Sequence, residues 1–142
     1  MPDRSIIPTK FGFHIETFAT SMFDVALDGK RLVVMYGAGL FPEHTRRIEP
    51  AADAWRRFLG KMDSCRIWSW EPYYYLPAMD GTNWWVCLEI EGKRVKSAGS
   101  NAYPGLNGAE PEPTAEFRGF LAALRELLGC LEDDLLARLM VI

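Results

Sequence analysis

Alternating apolar positions predict a β-hairpin whose turn is Glu91-Gly92. From Trp84 to Ile90 every second residue is apolar, which is the period of a strand with one buried face. Antiparallel pairing around this turn sets Trp84 opposite Gly99, so we expect the indole to lie across the glycine. The same register pairs Ile90 with Lys93, Glu89 with Arg94 as a charge pair, Leu88 with Val95, and Val86 with Ser97.

Three other segments also read as strands. Residues 11–18 alternate, with large apolar side chains on one face and His14 and Glu16 on the other. A second hairpin is predicted to turn at Asp28-Gly29, and its register pairs Val25 with Leu32 and Phe23 with Val34. Residues 66–70 resume a strand pattern, which the prolines at positions 72 and 77 restrict to a bulged or edge strand.

Two stretches change to the helical period, with apolar residues at i, i+3, i+4 and i+7. The first predicts a helix over residues 50–63, with an apolar stripe of Trp55, Phe58, Leu59 and Met62. The second predicts a helix over residues 114–130, with a stripe of Phe117, Phe120, Leu121, Leu124, Leu127 and Leu128. Residues 131–142 are predicted to form a last short helix or an angled extension. Loops are predicted around Gly37, Gly39 and Pro42 and over residues 100–113.

The two halves of the chain resemble copies of one unit. Gly29-Lys30-Arg31 and Gly92-Lys93-Arg94 lie 63 residues apart, each within a predicted hairpin. Nearly the same spacing separates Pro42 from Pro104, Pro50 from Pro113, and the aromatic residues Trp55 and Phe58 from Phe117 and Phe120. The alternative is that any two hairpin-plus-helix units share glycines and aromatic residues.

These patterns together predict an α+β fold in a single domain spanning residues 1–142. We expect a two-layer arrangement, with one antiparallel sheet of about six strands and two or three helices on one face. A tandem repeat would divide the chain into halves at residues 11–64 and 66–130, followed by the C-terminal helix at residues 131–142.

Composition and charge narrow the class of protein. With 142 residues, of which 49% are hydrophobic, the chain is long enough for a real core. A net charge of −3 argues against nucleic-acid binding, which requires clustered Lys and Arg. The N-terminus lacks a signal-peptide pattern, and no apolar run is long enough to span a bilayer. Cys65, Cys87 and Cys130 have no metal-binding spacing, and we expect a cytoplasmic protein.

No set of residues in the sequence forms a complete catalytic or metal-binding motif. His14 with Glu16 and His44 with Glu43 would suit a metal only if the two segments met, and we expect no metal and no cofactor. Cys87 faces Lys96 in the predicted hairpin, which would lower a thiol pKa if the pair were shielded. Asp80 and Glu71 flank an aromatic stretch, although Asp80 is better explained by a turn.

The stretch from Trp68 to Trp85 holds seven aromatic residues in eighteen positions. Alternation buries only about half of such a set, and Trp85 must point away from Trp84. Because Trp and Tyr dominate binding hot spots, we predict an interaction surface on the sheet that includes Trp85, Trp70 and Tyr74. The loop that follows the hairpin adds three candidate binding residues, Ser100, Asn101 and Tyr103.

Three functions are compatible with these features. The first is a small cytoplasmic protein-interaction or regulatory module that binds a protein partner, or a second copy of itself as a homodimer, through the aromatic sheet face. The second is a small-ligand-binding protein with a pocket between sheet and helices. The third is an enzyme of unknown class, for which Asp80, His14, His44 and Cys87 are the only candidates, and the incomplete set favours no enzymatic activity. Neither nucleic acid nor membrane is an expected partner.

Overall fold

The fold is seen in a computed structural model that describes residues 7–17, 21–38, 43–77 and 81–129. The predicted last helix at residues 131–142 lies outside the described residues, as do Pro42, Asp80 and Cys130.

Two helices and a largely antiparallel sheet make up the described chain. The strands are β1 (Lys10–Thr17), β2 (Ser21–Asp28), β3 (Arg31–Gly37), β4 (His44–Ile48), β5 (Tyr73–Tyr75), β6 (Thr82–Ile90), β7 (Lys93–Ser100), β8 (Tyr103–Gly105) and β9 (Gly108–Glu110). The helices are α1 (Ala52–Ser64) and α2 (Ala115–Leu128). The chain therefore has an α+β fold.

Seven strands form one sheet in the order β4-β3-β2-β1-β6-β7-β5. All neighbours pair antiparallel except β5, which pairs parallel to β7 at the edge. Strands β8 and β9 form a separate two-stranded sheet. The sheet is thus one strand larger than the predicted six, and one edge is parallel.

The β6–β7 hairpin has the predicted register. Trp84 pairs with Gly99, and every other predicted partner is also confirmed. Glu91 and Gly92 have φ angles of 45° and 80°, which is the pair of positive values that a type I′ turn needs. The indole of Trp84 lies over Gly99, where an added Cβ would come within 2.2 Å of Nε1. This hairpin follows directly from the sequence.

The register predicted for the first hairpin is wrong by two residues. Val25 pairs with Val34 rather than with Leu32, and Phe23 pairs with Tyr36. The loop is Gly29-Lys30, because Gly29, with φ of 67°, takes the first loop position, where a type II′ turn favours glycine. A shift of two leaves each side chain on its predicted face.

Three segments differ in type from the prediction. Residues 66–70 form no strand: Arg66 has a φ of 59°, and Ile67–Ser69 form a 3-10 turn. The turn is held by local bonds, with the Trp70 indole donating to the Cys65 carbonyl at 3.1 Å. An edge strand, β5, does follow at Tyr73–Tyr75, but outside the predicted residues. Strand β4 and the β8–β9 pair occupy segments that were predicted as loops.

Both helices contact β1 through aromatic rings. Rings of Trp55 and Phe58 in α1 meet Phe11 of β1, while Phe117 and Phe120 in α2 meet Phe13 two positions along that strand. Helix α2 is capped by Thr114, whose hydroxyl accepts from the Phe117 N–H at 3.2 Å. No helix within the described residues is both long and apolar enough to cross a membrane.

Candidate functional site

The candidate site lies on the sheet face that points away from the helices, which we call the outer face. Because Phe11 and Phe13 of β1 point towards the helices, the intervening residues of β1 point outwards, and the pairing fixes which residues lie beside them. The central cross-strand row of the outer face consists of Thr45, Met35, Asp24, His14, Trp85, Ala98 and Tyr73.

Three large aromatic side chains are exposed on the outer face. Trp85 is 42% exposed, and Tyr73 and Tyr75 are each 58% exposed. The two tyrosine rings stack with centroids 6.4 Å apart, and Ala98 separates Tyr73 from Trp85 in the central row. Their arrangement exposes aromatic rings on a face that neither α1 nor α2 contacts.

Trp85 is held in place from two sides. Its ring stacks on the imidazole of His14, with centroids 6.1 Å apart and an interplanar angle of 12°. It also lies over Gly12, where an added Cβ would be 3.0 Å from Cζ3. Gly12 thus provides the room that the indole uses. An exposed side chain that is already fixed loses little conformational entropy when a partner binds.

His14 is bonded to two carboxylates. Its Nδ1 lies 3.0 Å from Asp24 Oδ1, and its Nε2 lies 2.8 Å from Glu16 Oε1. A protonated imidazole can donate from both ring nitrogens, so this pair of acceptors favours the charged form of the ring. The bond to Asp24 raises the pKa of His14; partial burial opposes the shift, and the bond to Glu16 adds to it. The ring that stacks on Trp85 is therefore one whose protonation the outer face favours.

Trp70 and Tyr74, predicted as binding residues, lie in the core instead of on the outer face. Tyr74 stacks on Trp84, and its hydroxyl accepts from the Glu71 N–H at 2.7 Å. Trp70 stacks on Phe117. Alternation explains the difference, because Tyr74 pairs with Gly99 on the helix side while Tyr73 and Tyr75 point outwards.

The predicted loop residues are tied into the fold. Tyr103 is buried against Phe117, with ring centroids 4.9 Å apart, and burial raises its pKa. Ser100 is partly exposed at the end of β7, and its carbonyl accepts from the Leu76 N–H. Ser100 lies on the outer face, where it pairs with Asn83 of β6 and Tyr75 of β5. Sequence reasoning placed the loop near the sheet but could not assign its side chains.

Asn101 acts as a clamp between three strands. Its Oδ1 accepts from the Thr82 N–H at 3.1 Å, and its Nδ2 donates to the Leu76 carbonyl at 3.2 Å. Its backbone N–H donates to the Thr82 carbonyl, and its φ of 58° is a left-handed value that asparagine tolerates. Both ends of the side-chain amide are therefore occupied by backbone groups.

Of the candidate catalytic residues, Asp80 lies outside the described residues, and the two histidines do not meet. His44 shares the face of Tyr36, on which its ring stacks, so the two histidines lie on opposite faces with β2 and β3 between their strands. Burial raises the pKa of the Cys87 thiol, and the nearby Lys96 opposes this only in part. Within residues 7–17, 21–38, 43–77 and 81–129, no group of three His, Cys, Asp or Glu residues is placed to hold a metal.

A second surface feature was not predicted from the sequence. A cleft of about 740 Å³ lies beside β7, between that strand and the segment at residues 68–72. Its lining includes Trp68, Pro72, Val95 and Lys96. The sequence could not reveal it, because the 3-10 turn that forms one wall was predicted as a strand.

Comparison with known proteins gives no assignment: no protein-family model matches the sequence, and no curated protein is significantly similar to it. The functional proposal therefore depends on the geometry of the outer face and of the cleft alone.

Proposed function

We propose that this protein is a small cytoplasmic interaction module that binds another protein through the outer face. The observation that carries the proposal is Trp85, which is 42% exposed and yet held between His14 and Gly12. A fixed, exposed tryptophan with two neighbouring tyrosines has the composition of an interface hot spot. The partner we propose is a folded protein with a complementary apolar surface.

Two further features support this function over the alternatives. Among the described candidates for catalysis, His14 and His44 lie on opposite faces of the sheet, and burial raises the pKa of the Cys87 thiol. The net charge of −3 disfavours a nucleic-acid partner. We therefore propose a binding role without enzymatic activity.

Site-specific photo-crosslinking in the native host tests the proposal. A photoreactive phenylalanine analogue at position 73 or 85 is expected to capture the same partner. The matched control is position 118, since Arg118 is exposed on α2. Equal capture from position 118, or no capture from either outer-face position, would refute the proposal. A captured species of twice the chain mass would identify the partner as a second copy.

The second candidate function is small-ligand binding, and the cleft beside β7 favours it. Its volume of about 740 Å³ lies within the range of known ligand sites. The cleft is at the edge of the sheet, whereas the sequence predicted a pocket between sheet and helices. Thermal-shift screening of small molecules, followed by a Trp68→Ala control, would detect such a ligand.

We also propose that the two halves of the chain are copies of one unit and that the domain has two layers. Each half contains a long hairpin, β2–β3 or β6–β7, followed by a helix, and the halves meet where β1 pairs with β6. The ring contacts of both helices with β1 support the two-layer arrangement. Exchange of α1 for α2 in a chimera would fold only if the copies retain equivalent packing.

A further inference from the structure

Strand β7 has an edge that is only partly covered. It pairs with β6 along its whole length, but on its other side β5 reaches only Ala98 to Ser100. No strand among the described residues pairs with positions 93–97 on that side. The chain before β5 stays beside β7 as far as Glu71, whose carbonyl accepts from the Ser97 hydroxyl, and it then turns away and places Trp70 in the core.

The backbone groups of Arg94 and Lys96 point towards this open edge. Residues that flank a two-residue hairpin loop exchange hydrogen bonds with each other, so Lys93 and Val95 bond to β6 and the residues between them point away. The pattern continues further along, where the Ala98 N–H donates outwards to the Pro72 carbonyl at 3.1 Å. The open edge therefore offers two N–H donors and two carbonyl acceptors in the spacing of a strand.

The cleft described above runs along this edge and has two different walls. On the outer face it is lined by three cations, Lys10, Arg94 and Lys96, and one carboxylate, Glu89. On the helix side it is lined by apolar surface from Trp68, Trp70 and Val95. Basic residues thus gather locally on a chain whose net charge is −3.

From this geometry we infer that the β7 edge binds an extended acidic peptide segment of a partner protein as an added strand. A strand directs alternate side chains to opposite faces, so its acidic residues would meet the cations and its apolar residues would meet the tryptophans. The segment recognised is about five residues of alternating acidic and apolar character. Main-chain bonds to Arg94 and Lys96 supply affinity, and the two walls supply specificity.

This site differs from the outer-face surface around Trp85 and goes beyond the proposed function. Its test uses the full chain labelled with 15N and a soluble synthetic peptide with the core Glu-Val-Glu-Val-Glu. Titration is expected to shift the amide resonances of Arg94 and Lys96, while Arg118→Ala on α2 leaves the affinity unchanged. In the free protein, the Arg94 and Lys96 amides are expected to exchange rapidly with solvent.

Matched peptides separate strand addition from simple charge attraction. N-methylation of the peptide backbone keeps every side chain but removes the donors, and it is expected to weaken binding by about tenfold or more. A charge-reversed peptide with Lys in place of Glu is expected to bind as weakly as the N-methylated peptide, or more weakly. On the protein side, the Lys96→Ala variant should retain part of the affinity, because alanine keeps the backbone N–H. The Lys96→Pro variant should lose the affinity, because proline has no backbone N–H.

Several results would overturn the inference. Equal binding of the N-methylated and unmodified peptides would exclude main-chain pairing, and equal binding of the charge-reversed peptide would exclude the cationic wall. Amides of Arg94 and Lys96 that are already protected in the free protein would show that the edge is occupied. Resonance shifts confined to the outer face around Trp85 would place the peptide elsewhere.

Discussion

Trp84 and Trp85 are adjacent in β6, yet their side chains lie in opposite environments. The Trp84 indole is buried, donates to the Ala102 carbonyl at 2.9 Å, and lies over Gly99. The Trp85 indole is exposed, stacks on the His14 imidazole, and lies over Gly12. Both rings use a glycine for space, but only one of them completes its hydrogen bonding inside the core.

The comparison extends from these two residues to the two aromatic regions around them. In the core, Trp70 and Tyr74 also have hydrogen-bond partners, so their polar groups are satisfied on burial. On the outer face, Tyr73 and Tyr75 are exposed beside Trp85. Aromatic residues of the core stabilise the fold, whereas those of the outer face leave apolar area available to a partner.

The largest expected effect separates the two tryptophans directly. Trp84→Ala removes a buried indole and its hydrogen bond, and we expect a loss of about 3–5 kcal/mol in the free energy of unfolding. Trp85→Ala is expected to cost about 1 kcal/mol or less, because the side chain is partly exposed. Urea denaturation of both variants measures the difference, provided the m-values agree. Equal losses would contradict the assignment of separate roles.

Alanine at position 99 is expected to cost more stability than alanine at position 12, just as Trp84→Ala is expected to cost more than Trp85→Ala. A Cβ at residue 99 would come within 2.4 Å of the Ala102 backbone oxygen, so Gly99→Ala is expected to destabilise by about 1–3 kcal/mol. A Cβ at residue 12 would meet the Trp85 ring at 3.0 Å and the Cys87 Sγ at 3.4 Å, which are side-chain atoms and not backbone. Gly12→Ala is therefore expected to cost less and to change Trp85 fluorescence. A greater loss from Gly12→Ala would be evidence against this packing.

Substitution of Asn101 tests whether the loop after β7 stabilises the fold. Asn101→Ala removes two side-chain hydrogen bonds and leaves the Thr82 N–H and the Leu76 carbonyl without their partner. We expect a loss of about 1–3 kcal/mol in thermal or chemical unfolding. Ser100→Ala is the neighbouring control, with an expected change within about 0.5 kcal/mol. If Asn101→Ala left stability unchanged, a direct role in ligand contact would be the better explanation.

Substitution of His14 is expected to have a smaller effect on the free energy of unfolding, and that effect depends on pH. Because its carboxylate partners raise its pKa in the folded protein, the stability it contributes is complete below its unfolded pKa of about 6.5. That contribution is lost as the pH rises through the higher folded pKa. The stability difference between wild type and His14→Gln should therefore shrink as the pH rises above about 6.5. A difference that grows with pH would show that His14 is neutral, and His44→Gln serves as the control.

Local turn chemistry explains which parts of the fold could be predicted. The β6–β7 register followed from Glu91-Gly92, because both loop positions adopt positive φ and only one pairing satisfies both faces. Strand β4, with the sequence HTRRI, was missed because an exposed edge strand shows no apolar alternation. Residues 66–70 alternate like a strand, but tertiary burial of Ile67 and Trp70 favours the 3-10 turn.

The candidate site could be predicted only in part. The outward direction of Trp85 follows from its position next to Trp84, and the structure agrees. The Asp24 partner of His14 could not be found, since it depends on how β1 pairs with β2 across residues 18–20. The exposure of Tyr73 and Tyr75 could not be predicted either, because three consecutive tyrosines do not reveal which one faces inwards.

The central claim is that Trp85 is a binding residue and not a structural one. The most direct test is the dissociation constant of the partner captured by crosslinking, measured for Trp85→Ala and for Leu106→Ala. Leu106 is a matched control, as it is 69% exposed and follows β8, away from the outer face. We predict about 30-fold weaker binding for Trp85→Ala and no change for Leu106→Ala. Dissociation constants that agree within about twofold for wild type and Trp85→Ala would contradict the claim.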